Sequence, residues 1–71
     1  MPQTPTNPEP YIKLDQFLKW QGIAQTGGEA KIIIQDGGVM VNDSLETRRG
    51  RKLRTGDLVT VDGRKYRVEL N

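Results

Sequence analysis

Thr26-Gly27-Gly28-Glu29-Ala30-Lys31-Ile32-Ile33-Ile34-Gln35-Asp36-Gly37-Gly38-Val39-Met40-Val41-Asn42 changes its hydrophobic period in mid-course, and that change sets the fold class. Thr26 and Glu29 stand three apart, the spacing of a reciprocal capping box. The threonine hydroxyl accepts from a free amide of the first turn, and the glutamate reaches back to the cap's own amide. Ala30, Ile33, Ile34 and Gly37 then recur at helical spacing, and Gly37-Gly38 supplies the stop. From Val39 onward the period is two, so a helix hands over to a strand.

Upstream, Leu14, Phe17 and Leu18 repeat at i, i+3 and i+4, the buried stripe of a first short helix entered through Tyr11-Ile12-Lys13. Asp15 lies in its first turn, where the helix dipole favours negative charge. Gly22 fits the left-handed position after the last turn and Ile23 can fold back on Leu18, so this helix is expected to end near Gln21. Downstream, Asn42-Asp43 joins Val39-Met40-Val41 to Ser44-Leu45-Glu46 as a tight hairpin. Thr55-Gly56-Asp57 turns into Leu58-Val59-Thr60-Val61, and Asp62-Gly63 makes a second hairpin into Lys65–Leu70, where Tyr66, Val68 and Leu70 alternate toward one face. The expected fold is α+β: a helix-turn-helix-like pair of short N-terminal helices packed on a small antiparallel sheet. Residues 1–10 hold all four prolines and almost nothing apolar, and read as a flexible tail ahead of one domain at 11–71.

In a chain of 71 residues the core is small and leaves little room for an enclosed catalytic cavity, which favours a binding surface over an enzyme. Cysteine and histidine are both absent, removing disulfides, thiolate metal sites and the commonest general base, so no cofactor is expected. Every aspartate of the domain has a place as a cap or turn residue, and no nucleophile and base pair is evident. There is neither a secretory signal pattern nor an apolar run of the ~20 residues a membrane helix needs, and the expectation is a soluble cytoplasmic monomer without membrane contact.

The net charge of +2 conceals a polarised chain. Residues 1–47 carry three basic and six acidic groups, whereas residues 48–71 carry eight and three. Five of the basic groups fall in Arg48-Arg49-Gly50-Arg51-Lys52-Leu53-Arg54, four of them arginines. A planar guanidinium grips phosphate oxygens with two parallel hydrogen bonds where an ammonium acts as a point charge, so the composition points to a phosphate-bearing partner. A run of like charge is ordinarily a solvated loop, and this one competes with that reading.

The run Ile12-Lys13-Leu14-Asp15-Gln16-Phe17-Leu18, the break at Gly22-Ile23, the second helix through Ala30 and Ile33, Gly38-Val39-Met40-Val41-Asn42, and Gly56-Asp57-Leu58-Val59 together resemble the RNA-binding domain first seen in ribosomal protein S-four, across about residues 11 to 62. Within that superfamily the chain is most similar to small single-domain bacterial proteins of the YbcJ and YaaA type, which share Thr-Gly-Gly-Glu-Ala-Lys at 26–31 and Glu-Thr-Arg-Arg-Gly-Arg-Lys-Leu-Arg at 46–54. The resemblance implies an αL-motif fold in which the helix pair and the following hairpin form one RNA-gripping face. Many members of the superfamily open the second helix with Ser-Arg and use that arginine on RNA. Gly27 and Gly28 occupy that neighbourhood here, which shifts a larger share to residues 48–54.

The expected RNA-binding residues are therefore Gly27, Gly28 and Lys31 at the opening of the second helix, with Arg48, Arg49, Arg51, Lys52 and Arg54 in an exposed loop whose side chains can be exchanged without disturbing the fold. Gly50 is read as the bend of that loop and Leu53 as its core anchor. Gly27 and Gly28 let a phosphate approach free amides, or simply let the chain turn into the helix. Lys13 and Lys19 carry low weight. Trp20, Tyr11 and Tyr66 are candidates to stack on unpaired bases, with packing favoured for Phe17 and Tyr66 and Trp20 open between the two. Arg64, Lys65 and Arg67 read better as edge-strand charges that discourage sheet association than as a flank of the same surface. The partner is expected to be structured RNA, possibly ribosomal, read by backbone geometry, with RNA favoured over DNA. The competing class is a protein-interaction module that docks its basic loop on an acidic partner, a ribosomal protein among the candidates.

Overall fold

A computed structural model describes residues 10–70, so all but Pro10 of the expected Pro-rich tail lies outside the described residues. The elements run β1 (Ile12–Lys13), α1 (Leu14–Trp20), α2 (Gly27–Gln35), β2 (Val39–Val41), β3 (Ser44–Leu45), β4 (Lys52–Leu53), β5 (Leu58–Val61) and β6 (Arg64–Arg67). Two antiparallel sheets result: a four-stranded one in the order β3-β2-β5-β6, and a separate two-stranded pair, β1 with β4. The expected α+β architecture of two helices on a small antiparallel sheet is present. No helix among the described residues is long and apolar enough to cross a membrane.

Both helices stop as their glycines require. Gly22 has φ +78°, its amide donates to the Lys19 carbonyl at 3.0 Å, and the Ile23 amide donates to Leu18 at 2.9 Å. At the end of α2, Gly37 has φ +85°, its amide donates to Ile34 and that of Gly38 to Ile33, each at 3.2 Å. These paired bonds are Schellman stops, which satisfy carbonyls that the end of a helix leaves open. At the start of α2, Thr26 Oγ1 accepts from the Glu29 amide at 3.0 Å as expected. Glu29 differs from expectation: its carboxylate accepts from the amide of Gln25 at 2.6 Å, one residue before the cap, because its side chain is long enough to reach past Thr26.

The core lies between the helix pair and one face of the larger sheet. Leu14, Phe17 and Leu18 from α1 and Ala30 and Ile34 from α2 are buried with Val39, Val41, Val59, Val61 and Val68. Sheet register explains the selection. Val39 pairs with Val61 and Val41 with Val59, so the valines share one face, while Met40 and Thr60 pair on the other. Asn42 and Asp43 take φ of 52° and 67°, as a two-residue hairpin turn demands, and Asp62-Gly63 does the same at 54° and 79°. β6 ends earlier than the period-two pattern suggested, at Arg67, but pairing continues: the Val68 amide donates to Asp57 and the Gly56 amide donates to Val68, both at 2.9 Å.

Tyr11-Ile12-Lys13 is not the first turn of α1. Ile12 and Lys13 are extended and pair with Leu53 and Lys52, and the helix begins at Leu14. Ile12 and Leu53 point inward, one half-buried and the other fully buried, which supplies the reason for the pairing. α1 has no side-chain cap at its start. Its first amides are satisfied instead by the loop ahead of β4: the Leu14 amide donates to the Arg51 carbonyl at 2.8 Å and that of Asp15 to Arg49 at 3.0 Å. The arginine-rich segment is thus the cap of α1 as well as its neighbour.

Gly22 has open space around the position of a Cβ, so replacing it tests backbone conformation alone. The Gly22→Ala variant is expected to lose about 1–2 kcal/mol in urea unfolding through the left-handed penalty. An unchanged midpoint would show that this stop does not need glycine.

Candidate nucleic-acid interface

The basic segment is held from beneath by one buried carboxylate. Glu46 is 5% exposed and accepts four hydrogen bonds: from the Arg48 amide at 3.0 Å, from Arg48 Nε at 3.0 Å and Nη2 at 3.3 Å, and from Arg51 Nη1 at 2.8 Å. The Arg48 guanidinium, ahead of the Arg48 amide and Arg51, brings the Glu46 pKa down to about 2 against the opposing effect of burial. The same contact raises the pKa of Arg48 further above its already high ordinary value. A buried carboxylate is costly unless fully bonded, and this one is. Sequence reasoning missed Glu46 because it read the residue only as the end of a strand, although an acid followed at two and five residues by arginines was the available signal.

Arg48 and Arg51 are therefore both tied to Glu46, and the loop is less independent of the fold than the sequence suggested. Arg48 uses two of its five N–H donors on Glu46 and Arg51 uses one. Arg48 keeps its side chain 74% exposed and Arg51 33%. Neither is silenced: two guanidiniums share one carboxylate, and their outward donors remain available. A cleft of about 490 Å³ is lined by Arg48, Gly50, Arg51, Lys52 and Arg54, so four of the five basic residues converge on one concavity. Arg49 does not line it. Arg49 is exposed at the tip of a turn closed by the Arg51 amide on the Arg48 carbonyl at 3.2 Å, with no ion-pair partner among the described residues. Gly50 has open space and no left-handed φ, so the bend does not require glycine, contrary to expectation. Leu53 is fully buried, the expected anchor.

The far end of the segment is fixed as firmly. The Arg54 amide donates to Asp57 Oδ2 at 2.8 Å, and Asp57 Oδ1 accepts from Asn42 Nδ2 at 3.1 Å. Asn42 Oδ1 in turn accepts from the Leu58 amide at 3.0 Å. Two motifs fifteen residues apart, the Asn42-Asp43 turn and Gly56-Asp57-Leu58, thus lock together beside the cations. The turn residues had been read singly, and nothing in local propensity shows that they meet.

The β1–β4 pair adds Lys13, which had carried low weight, and Tyr11, which had been read as one of three candidates for base stacking. Lys13 lies directly opposite Lys52, and side chains opposite each other share a face. Tyr11, two residues before Lys13, joins them: Lys52 Nζ stands 5.0 Å from the centre of its ring. Alternation in Tyr-Ile-Lys and Lys-Leu-Arg was the signal for this pairing, but two-residue strands are too short for a periodic pattern to be convincing. Gly27, Gly28 and Lys31 stand apart from this cluster. The basic segment caps the first turn of α1, whereas Ala24 bonds back to Leu18 near the C-terminal end of α1 and α2 departs from there. No hydrogen bond or ion pair among the described residues joins the opening of α2 to residues 48–54, and Gly27, Gly28 and Lys31 do not line the arginine cleft. Trp20 is 61% exposed and meets Phe17 edge to face at 6.4 Å. Lys19 is exposed, as are Arg64, Lys65 and Arg67 on the outer strand β6.

Helix pair, hairpin and a cationic face pinned to the first helix define a small α+β module built around a binding surface, and among the described residues no group of acidic side chains is placed to hold a metal ion. The S4 domain family matches residues 6–69, and the chain belongs to that family. It is 48% identical over 52 residues to the "Probable ribosome maturation protein RlbA" of Bacillus subtilis, covering 73% of each chain. It is 36% identical over 59 residues to the "Putative RNA-binding protein YbcJ" of Escherichia coli, covering 83% of this chain and 84% of the relative.

The Glu46 carboxylate lowers its pKa on folding, so its contribution is complete above the ordinary value of 4.5 and disappears as pH falls toward about 2. Its size is on the order of 2 kcal/mol, discounted because the Arg48 guanidinium it binds is mostly in water. Wild-type stability measured by urea unfolding is expected to decline between pH 4.5 and 2.5. The Glu46→Gln variant should be less stable at pH 7 and flatter through that window. Parallel pH profiles for the two would contradict the role given to Glu46.

Proposed function

We propose that this chain is an RNA-binding module, without catalytic activity of its own, that recognises structured RNA through the phosphate backbone, and that the RNA is ribosomal. The observation that carries the reading is the convergence of Arg48, Arg51, Lys52 and Arg54 on one cleft, on a backbone fixed to α1 at Leu14 and Asp15 and to the sheet at Asp57. Residues 46–54 carry five cations and one carboxylate, a net charge of +4 for that segment, and Lys13 stands opposite Lys52. Membership of the S4 domain family and the names of the two relatives, one a ribosome maturation protein and the other an RNA-binding protein, agree with that chemistry.

Recognition then works by position. An A-form stem presents phosphates and 2′-hydroxyls across a shallow minor groove, and rigid guanidiniums meet that geometry with little base readout. Because Glu46 holds Arg48 and Arg51 in place before RNA arrives, less side-chain freedom is lost on binding. The opening of α2, with the amides of Gly27 and Gly28 and the charge of Lys31, forms a second contact on the same stem, away from the main cleft.

Binding of a ribosomal stem-loop by the full chain is expected to weaken with salt, log K falling against log salt with a slope on the order of −3 to −4 for about four neutralised phosphates. Arg49 and Lys52 are the residues to neutralise, since they leave the Glu46 contacts intact. Arg51→Glu would instead set a second carboxylate beside Glu46 and damage the fold. Arg49→Gln combined with Lys52→Gln should flatten the slope by about two. An unchanged slope in that folded variant would reject the interface, and equal competition by an acidic protein of no defined structure would favour protein docking. At α2, Gly28→Ala has room for its methyl and should hold or slightly raise stability. If the amides touch phosphate it will still lower RNA affinity, and full affinity would remove Gly28 from the site.

A further inference from the structure

We propose that the outward face of the β1–β4 pair is a nucleotide subsite, in which Tyr11 stacks on an unpaired base beside the stem while Lys13 and Lys52 hold the phosphates that flank it. This rests on the RNA-binding reading above and specifies the RNA: a stem adjoined by a single-stranded nucleotide.

The first observation is the side chain itself. Tyr11 is 45% exposed and takes no part in the core cluster, whereas Ile12 beside it packs against that cluster. Tyr11 is thus ordered on the surface by its neighbours without contributing to the interior. The second is the register. Lys13 and Lys52 are directly opposed in an antiparallel pair only two residues long. Like charges directly opposite destabilise such a pair, and no carboxylate is bonded to either ammonium among the described residues. The sheet carries this repulsion because Ile12 and Leu53 anchor its inner side. A polyanion laid across the outer side would relieve it.

The third observation sets the mechanism. In the free protein, Lys52 Nζ sits over the Tyr11 ring at 5.0 Å. The attraction of an exposed ammonium to a ring face is weak beside its attraction to a phosphate in the same place. When RNA arrives, Lys52 turns to the phosphate and the ring face it covered becomes the surface on which a base stacks. Stacking is indifferent to base identity because every base has a π-face, so the subsite selects for an unpaired nucleotide and not for a sequence. Lys52 also lines the arginine cleft, so the stem and its neighbouring nucleotide would meet one continuous surface.

The test compares two synthetic RNAs with the full chain: a blunt-ended stem, and the same stem carrying a short single-stranded overhang, with binding measured by fluorescence anisotropy. Wild type is expected to prefer the overhang RNA by about tenfold. Tyr11→Ala should lose that preference and bind the blunt stem as wild type does, while Tyr11→Phe, which keeps a stacking face, should retain it. Equal loss on both RNAs would mean that Tyr11 only supports the fold, and equal affinity of wild type for both RNAs would exclude the subsite. Either result overturns this inference and leaves the interface at residues 48–54 standing. Wild type binding neither RNA would instead defeat the RNA-binding reading itself, and this inference with it.

Discussion

The bonding of Glu46 to Arg48 and Arg51 is the constraint on which the shape of the cationic face depends. Seven residues with five positive charges repel one another, and left alone such a segment extends into solvent. A single buried carboxylate changes that outcome. It draws two guanidiniums to one point and accepts the Arg48 amide as well, so the backbone turns with Arg49 at its tip. The turn in turn delivers the Arg49 and Arg51 carbonyls to the first amides of α1, a helix with no side-chain cap of its own. Charge, loop shape and helix start are therefore one structural unit.

From that unit the rest follows outward. Capping α1 places Ile12 and Lys13 alongside Lys52 and Leu53, and Leu53 carries the basic strand into the core. The valine face of the larger sheet buries α1 and α2 from the other side, while Asn42 and Asp57 tie the end of the basic segment to the first hairpin. What is exposed after these requirements are met is a set of cations on a backbone with few remaining freedoms. Rigid presentation of charge suits a partner whose own charges lie at fixed spacings, as phosphates along a folded RNA do.

Local grammar made most of the fold legible. Two glycine stops, one threonine cap, two Asn/Asp-led turns and a shift from helical to alternating period are all short-range signals, and each appears in the structure where the sequence placed it. The failures were contacts between segments far apart in the chain. Residues 11–13 continue smoothly into a helical stripe, and only the distant Lys52 and Leu53 make Ile12 and Lys13 a strand. Glu46 looked like an ordinary strand end, and only burial reveals it as the organiser of two arginines. The basic cluster was visible from composition, but its division was not: Arg48 and Arg51 shape the surface as well as charge it, Arg49 projects, and Lys52 belongs to a second group with Tyr11 and Lys13. The opening of α2 was read from Gly27, Gly28 and Lys31, and none of the three lines the cleft with which they had been grouped.

If the segment held by Glu46 is the surface that meets RNA, its own amides will report the contact. The decisive measurement follows amide chemical shifts of the isotope-labelled full chain during titration with a ribosomal stem-loop. The largest changes are expected on residues 48–54, Lys13 and Tyr11, with a smaller set at Gly27 and Gly28. Changes concentrated instead on Arg64, Lys65 and Arg67 of β6, or none at all at binding concentrations of RNA, would contradict this role for the segment.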